Sequence, residues 1–379
     1  MINRILELKI KDKLFNGKII LIYGARQVGK TTIIKKIADD SGRKVLYLNC
    51  DNSDIRTQLT DTTATGLKNL TSGFDMVLID EAQRVKNIGL TLKLFADELS
   101  DKQVIATGSS SLELSNIITE PLTGRKYEFH LFPFSIMELV NNSNAIEFNR
   151  LLEERIIYGM YPDVLNRPGE KQEILKSLAS DYLFKDVLAY QDVRKPEQIE
   201  NLLMMLAAQI GQEVSYNKLA NSLQLDNSTI VKYINLLEKA FVIFSLKPFS
   251  KNVRIEVTKK RKIYFYDTGI RNALLRQFSE LNYRRDTGAL WENFLISERL
   301  KHNSYYRRDV KSYFWRTTQQ QEIDYIEDDF TKLKAFEIKW SKLVKARIPS
   351  TFLKSYPNTY TNIINPENYL EFVNERSSL

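Results

Sequence analysis

Residues 24–31 of this chain read Gly24-Ala25-Arg26-Gln27-Val28-Gly29-Lys30-Thr31. The strand-length apolar run Lys18–Tyr23 precedes them. Glycines at the first and sixth positions permit backbone dihedral angles closed to other residues, so that successive N–H groups can point inward and bind an anion. A helix that begins near Lys30 would add the positive end of its dipole. The spacing therefore predicts a loop that binds phosphate groups.

The same pattern, G-x-x-x-x-G-K-[ST] after a strand, is typical of the phosphate loop (P-loop) of nucleoside triphosphatases. We expect ATP and Mg²⁺ as ligands, with Lys30 on the outer phosphates and the Thr31 hydroxyl on the metal. The other loop residues, and Thr32 in the first turn of the helix, are expected to line the phosphates. The alternative is a glycine turn that binds no nucleotide.

A second element reads Met76-Val77-Leu78-Ile79-Asp80-Glu81. Its four apolar residues indicate a buried strand that delivers carboxylates to its carboxyl end, where open α/β sheets bind ligands. Asp80 is expected to hold Mg²⁺ through water, and Glu81 to polarise the attacking water as a general base. A purely structural Asp–Glu pair is the alternative. A glutamate here is typical of P-loop enzymes with an extra strand between the two motifs, and Lys44–Asn49 is the candidate for that strand.

Short apolar runs that end in turn residues recur through the first part of the chain. Helical segments separate most of them, which indicates a parallel sheet covered on both faces. The predicted fold class is α/β, with a P-loop ATPase domain over residues 1–165, a helical lid or linker over 166–199, and two further domains over 200–280 and 281–379. The five runs are Lys18–Gly24, Lys44–Cys50, Phe74–Asp80, Lys102–Gly108 and Lys126–Pro133.

Three further side chains are candidates for the nucleotide site. The run Lys102–Thr107 is expected to lie beside the phosphate-loop strand, so that Thr107 or Ser109 reaches the γ-phosphate; a plain Ser/Gly turn is the alternative. Arg125 precedes another strand and is a candidate to stabilise charge on the transferring phosphoryl group, in its own chain or from a neighbouring subunit. The second option requires a homo-oligomer, and a surface arginine is the alternative to both.

Residues 200–275 indicate a winged-helix domain. Two predicted helices, Asn217–Leu225 and Ser228–Ala240, are joined by a tight turn, and the strand-like runs Val242–Lys247 and Ile263–Tyr266 follow. In a winged helix the second helix can enter the DNA major groove while the hairpin contacts phosphates; a protein-contact module is the alternative. The residues predicted to contact DNA are Thr229, Lys232 and Tyr233 on the helix, and Lys251, Arg254, Lys259, Lys260, Arg261 and Lys262 in the basic hairpin.

Four residues of the last hundred form a candidate nuclease site. Glu292 lies on the predicted helix Ala289–Lys301, Asp324 in an alternating strand, and Glu337 and Lys339 on the strand Leu333–Trp340. Alternation places Glu337 and Lys339 on one face of their strand. There Asp324 and Glu337 could hold Mg²⁺, and Lys339 could steady the attacking water. The set resembles the PD-(D/E)xK nuclease superfamily, although no proline accompanies Asp324, and a structural salt-bridge cluster is the alternative.

Taken together, the motifs resemble a large group of prokaryotic AAA-superfamily ATPases that carry a C-terminal domain of unknown function and are related to archaeal ATPases. The resemblance implies ATP hydrolysis and this architecture, and it leaves the substrate open. One departure is Met160, since that group commonly has two glycines before an aromatic residue and a proline. The motifs that carry the resemblance are Gly24–Thr31, Val77–Glu81, Thr107–Ser110, Leu122-Thr123-Gly124-Arg125, Pro133-Phe134-Ser135 with Glu138, and Tyr158-Gly159-Met160-Tyr161-Pro162.

Composition limits these hypotheses. The 379 residues are long for one hydrophobic core and allow two or three domains. The 55 Lys and Arg against 47 Asp and Glu give a net charge of +8, which permits a nucleic-acid partner without requiring one. The single cysteine, Cys50, is expected to be buried and fits a reducing compartment. No run approaches the roughly 18–20 apolar residues of a membrane span, and the charged N-terminal segment lacks the features of a signal peptide, so we expect a soluble cytoplasmic protein.

Two functional hypotheses follow from the sequence. The first is an ATPase that couples its nucleotide state to DNA binding or processing. The second is a regulatory or signalling ATPase whose C-terminal half is a protein-interaction module without nuclease activity.

Overall fold

The computed structural model of the protein describes residues 2–109, 122–182, 196–250, 260–343 and 346–374. Its contacts divide the chain into two compact units. Unit 1 comprises Met1–Phe134 with Lys239–Phe241, and unit 2 comprises Ser135–Glu238 with Val242–Leu379. This division differs from the predicted one, in which the first domain extends to residue 165 and three further parts follow.

Unit 1 contains the strands β1 Ile19–Tyr23, β2 Val45–Asn49, β3 Met76–Asp80, β4 Gln103–Gly108 and β5 Lys126–His130. In the described residues they form one sheet with the order β2-β3-β4-β1-β5. Every neighbouring pair is parallel, and β1, β3 and β4 are buried along their whole length. The predicted α/β class and parallel sheet are confirmed.

The strand β4 lies between the two strands that carry the motifs. It pairs with β1, where Thr107 lies opposite Ile22, and with β3, where Ala106 lies opposite Ile79. The expectation that this run lies beside the phosphate-loop strand is therefore confirmed. The expectation that Lys44–Asn49 is the inserted strand is wrong: β2 lies at the sheet edge, beyond β3. Strand order along the chain does not fix strand order in the sheet.

The helices of unit 1 are α1 Ile5–Lys11, α2 Lys30–Ser41, α3 Ser53–Leu59, α4 Ala64–Leu70 and α5 Ile88–Glu98, with a 3₁₀ turn at Ala82–Arg84. Helix α2 begins at Lys30, within the phosphate-loop motif, and is followed by Gly42, whose φ of 63° is a left-handed conformation that favours glycine. Its buried residues Ile34 and Ile37 anchor it in the core of the unit. Cys50, which follows β2, is fully buried as expected, and burial raises the pKa of its thiol to about 12.

Unit 2 contains, in its described residues, the strands β6 Glu213–Ser215, β7 Ile243–Pro248, β8 Lys260–Phe265, β9 Lys311–Arg316, β10 Glu322–Asp328, β11 Leu333–Ile338 and β12 Tyr360–Ile364. They form one mixed sheet with the order β12-β11-β10-β9-β7-β8-β6. The parallel pair β7–β9 joins its two halves, with Lys247 opposite Tyr313. Strands of the predicted winged-helix and nuclease-like segments thus share one sheet.

The helices of unit 2 are α6 Ile136–Asn142, α7 Ala145–Arg150, α8 Leu152–Tyr158, α9 Pro162–Asn166, α10 Lys171–Ser177, α11 Pro196–Ala208, α12 Tyr216–Leu223, α13 Asn227–Lys239, α14 Thr268–Leu274, α15 Thr287–Tyr305, α16 Ser350–Ser355 and α17 Tyr369–Asn374. Ser135 and Glu138 form a capping box at the start of α6. Among the described residues, no helix combines the length and the apolar character needed to cross a membrane.

The segment around Gly159 packs against the start of α14 without room for a side chain. Gly159 has a φ of 69°, and a Cβ atom added there would lie 1.9 Å from Oδ1 of Asp267. The Asp267 carboxylate accepts hydrogen bonds from the N–H groups of Met160 at 2.8 Å and Gly269 at 2.9 Å. Met160 is itself 2% exposed. Where the resembling group has a second glycine, this chain therefore has a methionine side chain that is buried in the core of unit 2.

We expect Gly159→Ala to destabilise unit 2. The new methyl group must push Asp267 away from two backbone donors, and alanine must adopt a left-handed backbone, so the free energy of unfolding should fall by about 2–4 kcal/mol. Thermal denaturation measures this change. Gly169→Ala is the control, because a Cβ atom added at Gly169 meets nothing within 4 Å and no positive φ constrains that glycine. Equal midpoints for the two variants would contradict the packing described.

Candidate functional site

The phosphate loop connects β1 to α2 with three left-handed or glycine-only backbone conformations. The φ angles are 156° at Gly24, 57° at Gln27 and 98° at Gly29. A Cβ atom at Gly24 would lie 2.1 Å from the carbonyl oxygen of Leu131, so only glycine fits there. Within the described residues, no side chain caps the amino end of α2, whose N-cap residue is Gly29. The first-turn N–H groups of a helix are donors of the kind that bind phosphate.

Lys30 lies over the loop. Its side chain is 5% exposed, and Nζ donates hydrogen bonds to the carbonyl oxygens of Gly24 at 2.9 Å and Ala25 at 2.8 Å. The ammonium group is thus held at the loop that the sequence predicts to bind phosphates. Of the other predicted loop contacts, Val28 is buried, and Gln27 and Thr32 are exposed.

Asp80 connects the phosphate loop to the neighbouring strands. Its Oδ2 accepts hydrogen bonds from the Thr31 hydroxyl at 2.7 Å and from the Tyr47 hydroxyl at 2.8 Å. Its Oδ1 accepts one from the Thr107 hydroxyl. Burial, followed by the bond to Asp80, raises the pKa of Tyr47 well above its usual value, so Tyr47 stays a donor. Tyr47 is a site residue that the sequence did not single out.

The pair Thr31 and Asp80 fits the demands of Mg²⁺. A hydroxyl and a carboxylate oxygen are hard oxygen donors, and they lie within 2.7 Å of one another, close enough to share one cation. Among the described residues, no group of three or more His, Cys, Asp or Glu side chains is arranged to hold a metal ion. A Mg²⁺ ion at Thr31 and Asp80 would accordingly take its remaining ligands from phosphate oxygens and water, as Mg²⁺ does in nucleotide sites.

Glu81 follows β3 in a left-handed conformation with a φ of 54°. Its N–H donates to the Thr107 hydroxyl at 3.3 Å, and its Oε2 accepts from Nε2 of Gln83 at 2.5 Å. The same Nε2 donates to Oγ of Ser109 at 3.1 Å. Thr107 and Ser109 are both fully buried. The structure thus brings both predicted polar residues of β4 and its end to Asp80 and Glu81, with Gln83 as an unpredicted connection.

Arg125 lies at the other edge of the sheet. Strand β5 runs parallel to β1, with Lys126 opposite Ile19 and His130 opposite Tyr23. Arg125 therefore lies where β1 begins, about 16 Å along the strand from the phosphate loop, and its Nε forms an ion pair with Asp97 at 2.5 Å. The prediction that it acts on the phosphates of its own chain is wrong, because parallel pairing separates the two positions. Its action from a neighbouring subunit stays a prediction.

In unit 2 the four residues of the candidate nuclease site come together. Lys339 Nζ lies 3.2 Å from Oδ2 of Asp324 and 2.6 Å from Oε1 of Glu337, and the N–H of Ile338 donates to the same Asp324 oxygen at 2.8 Å. Burial, followed by the nearby Asp324 carboxylate, raises the pKa of Glu337. Oε2 of Glu337 has no hydrogen-bond partner among the described residues.

A fifth residue, Lys262 of β8, lies inside this cluster. Its side chain is 1% exposed; Nζ forms ion pairs with Glu292 at 3.1 Å and with Glu322, and lies 3.9 Å from Asp324. Burial, the largest influence, lowers the pKa of Lys262, but the three carboxylates outweigh it and keep the ammonium charged. The predicted contact of Lys262 with DNA is therefore wrong, because ion pairs hold it in the interior.

Glu292 accepts hydrogen bonds from the same lysine and from a tyrosine. Its Oε1 accepts from the Tyr264 hydroxyl at 2.6 Å and from Lys262. Burial raises the pKa of Glu292 to about 7, although Lys262 lowers it. With ammonium groups bonded to Glu292, Asp324 and Glu337, the donor set in this arrangement does not fit a divalent cation. We derive no metal-dependent step from it.

The surface predicted to contact DNA is described in part. On α13, Lys232 is exposed and Thr229 is partly exposed. Tyr233 is 3% exposed, so its predicted contact with DNA is wrong: its ring is buried with the apolar side of the helix. Lys260 is exposed beside Glu213, at 3.2 Å, and Arg261 is partly exposed. The predicted contacts outside the described residues are Lys251, Arg254 and Lys259.

Comparison with protein-family models matches three successive parts of the chain. Residues 16–140 match the family described as AAA domain. Residues 149–281 and 287–376 match two families described as Domain of unknown function, DUF8612 and DUF4143. The first match contains the phosphate loop, Asp80, Glu81 and Ser109. Most of unit 1 is thus similar in sequence to the AAA domain family.

Two proteins of similar sequence are uncharacterized. An uncharacterized protein of Mycobacterium tuberculosis is 28% identical over 338 residues, which cover 87% of this chain and 72% of that protein. An uncharacterized protein of Methanocaldococcus jannaschii is 26% identical over 348 residues, which cover 85% and 75%.

Two solved structures are similar at low scores. The Walker-type ATPase of Pyrococcus abyssi is 17% identical, with a TM-score of 0.49, and the match covers 73% of this chain and 96% of that one. The Cdc6p structure from Pyrobaculum aerophilum is 13% identical, with a TM-score of 0.31, and the match covers 73% and 94%. Both scores lie below 0.5, and nothing about this chain follows from them.

Proposed function

We propose that this protein binds ATP with Mg²⁺ and hydrolyses it to ADP and phosphate at the carboxyl ends of β1 and β3. One observation carries the proposal: Asp80 bonds to Thr31 of the phosphate loop on one side and to Thr107 on the other, with Glu81 next to it. The metal-binding, phosphate-binding and water-activating groups that ATP hydrolysis requires are therefore neighbours in one connected network.

Binding depends on the loop and Lys30. The N–H groups of the loop and of the first turn of α2 would surround the phosphates, and the Lys30 ammonium would leave its two carbonyl acceptors for phosphate oxygens. Those two bonds hold the ammonium close to its place of action before the nucleotide arrives. The Lys30 side chain therefore loses less conformational entropy when it binds the phosphates.

Hydrolysis depends on Glu81. Its carboxylate would accept a proton from a water molecule whose oxygen forms a bond to the γ-phosphorus, while the bond from that phosphorus to the bridging oxygen breaks. The electron pair of the broken bond stays on ADP. Mg²⁺, held by Thr31 and Asp80, supplies charge neutralisation on the phosphate oxygens when it is bound.

Phosphate release from ATP by the full chain tests this function. We expect turnover that requires Mg²⁺ and stops when EDTA removes it. The absence of any turnover or nucleotide affinity over a range of Mg²⁺ concentrations would contradict the proposal.

We further propose that ATP state is coupled to DNA through unit 2. The support is the order α12–α13–β7–β8, in which two helices precede an antiparallel strand pair, together with exposed Lys232 and Lys260. This arrangement resembles a winged helix, whose second helix and hairpin approach DNA from one side. A protein-interaction role of the same surface is the alternative.

Lys232→Ala tests the DNA proposal. If Lys232 contacts a phosphate, the variant should bind duplex DNA more weakly, and the slope of log affinity against log salt should fall by about one. Fluorescence anisotropy at several salt concentrations measures both quantities. Asn235→Ala, at another exposed position of α13, is the control. Turnover unaffected by any DNA, with no DNA retention at low salt, would contradict the proposal and favour the protein-interaction role.

The proposed action of Arg125 from a neighbouring subunit has its own test. Arg125→Ala and Lys30→Ala subunits should each be inactive alone, and mixing them should restore part of the turnover, because one mixed interface combines an intact loop with an intact arginine. Failure of the mixture to recover any activity would contradict that role.

A further inference from the structure

We propose that Gln83 is a positioning residue for ATP hydrolysis, which holds the carboxylate of the general base and connects it to Ser109. This inference rests on the proposed ATPase function and adds to it a residue that the phosphate-loop motif and the Asp80–Glu81 pair do not contain. Gln83 lies in the 3₁₀ turn that follows β3, and Ser109 follows β4, the next strand in the sheet.

The geometry uses both hydrogens of one amide group. Nε2 of Gln83 donates to Oε2 of Glu81 at 2.5 Å and to Oγ of Ser109 at 3.1 Å. A primary amide nitrogen has two N–H bonds in a fixed plane. Two acceptors that follow different strands therefore define the orientation of the amide plane, and through it the position of the Glu81 carboxylate.

The conformation of Glu81 explains why such a connection is useful. Glu81 has a φ of 54°, a backbone conformation that costs a non-glycine residue about 1–3 kcal/mol and persists only where neighbours stabilise it. Its side chain is partly exposed rather than packed in the core. A single bond from the partly buried Gln83 then contributes much of what fixes the carboxylate toward the attacking water.

The side-chain carbonyl oxygen of Gln83 indicates that this residue does more than stabilise the fold. Its Oε1 is buried and has no hydrogen-bond partner among the described residues. A buried acceptor without a partner destabilises the folded state by about 1–3 kcal/mol. An apolar side chain of the same length would avoid that penalty, so packing does not account for glutamine at this position.

Ser109 holds the far end of this connection. Its Oγ accepts the bond from Gln83 at 3.1 Å, and the residue is fully buried directly after β4. The Gln83 amide is therefore fixed by the sheet on one side and holds the Glu81 carboxylate on the other. Loss of Gln83 should impair the chemical step and leave binding of ATP unchanged.

The experiment separates turnover from binding. In Gln83→Met, which keeps the length and removes the amide, kcat should fall about 10- to 100-fold because the base is no longer held, while the Kd for ATP changes less than twofold. Gln83→Glu should lose a similar factor, since it has no donor at pH 7. In the double variant with Ser109→Ala, kcat should fall no further than in the worse single variant, because both act through one connection.

Three outcomes decide the matter. Gln58→Met is the matched control on an exposed position of α3 and should leave kcat unchanged. A normal kcat in Gln83→Met, or a fully additive double variant, would overturn the role of Gln83 while the ATPase function stands. A wild-type protein that binds ATP but never hydrolyses it would overturn both. If Gln83→Met fails to fold, kcat of Gln83→Glu decides by the same criteria.

Discussion

Lys30→Ala should abolish measurable ATP turnover, with kcat/KM reduced about 100-fold or more. The ammonium group is the one cation that the described structure places on the loop carbonyls of Gly24 and Ala25, and alanine leaves the phosphate charge without it. The bonds to these two carbonyl groups span only five and six residues of sequence, and circular dichroism checks that the variant folds. Phosphate release at saturating Mg²⁺ measures the loss.

Lys44→Ala is the matched control for this variant. Lys44 is exposed and precedes the amino end of the edge strand β2, whereas the phosphate loop follows the carboxyl end of the inner strand β1. Removal of a lysine there lowers the net charge equally and should leave turnover unchanged. Turnover in Lys30→Ala equal to that of Lys44→Ala would contradict the assigned role of Lys30.

Glu81→Gln should separate binding from chemistry. Glutamine keeps the size of the side chain, and its Oε1 can still accept the bond from Gln83, but it cannot take a proton from water. We expect kcat to fall about 100- to 10,000-fold, with ATP affinity equal to that of the wild type. Single-turnover hydrolysis and nucleotide titration measure the two quantities.

Glu98→Gln is the corresponding control, because Glu98 is an exposed carboxylate of α5 whose weak ion pair with Lys68 lies at 3.9 Å. It should behave as the wild type. If Glu81→Gln kept full turnover, the general base would have to be another group, and the positioning role of Gln83 would fail with it.

Much of unit 1 could be predicted because its signals are local. The glycine spacing, the strand before it and the helix after it are all read within about fifteen residues, and the four apolar residues before Asp80 indicate a buried strand without knowledge of its neighbours. Which strand lies between the phosphate-loop strand β1 and the Asp80 strand β3 could not be predicted in that way. It depends on which strands pair in space, and β4 rather than β2 lies between β1 and β3.

The contacts of Gln83 likewise could not be predicted from the local sequence. Its bond to Ser109 spans 26 residues of sequence and exists only because β3 and β4 are adjacent. A glutamine three residues after Asp80 gives no sign of it.

The predictions that Lys262 and Tyr233 contact DNA are wrong for a related reason. The charged neighbours of Lys262 in sequence predict a basic hairpin, yet Glu292 and Glu322 lie 30 and 60 residues later and hold this lysine in the interior. Tyr233 is predicted to contact DNA from α13, but a tyrosine can bury its ring while the helix surface around it stays polar. By contrast, alternation along β11 does bring Glu337 and Lys339 together.

Calorimetric titration of ATP with Mg²⁺ into the wild-type chain and into Lys30→Ala tests the central claim most directly. The account predicts saturable binding of one ATP per chain by the wild type, and an affinity reduced about 100-fold or beyond detection in the variant. A wild-type protein without nucleotide affinity, or a variant that binds ATP as tightly as the wild type, would contradict it.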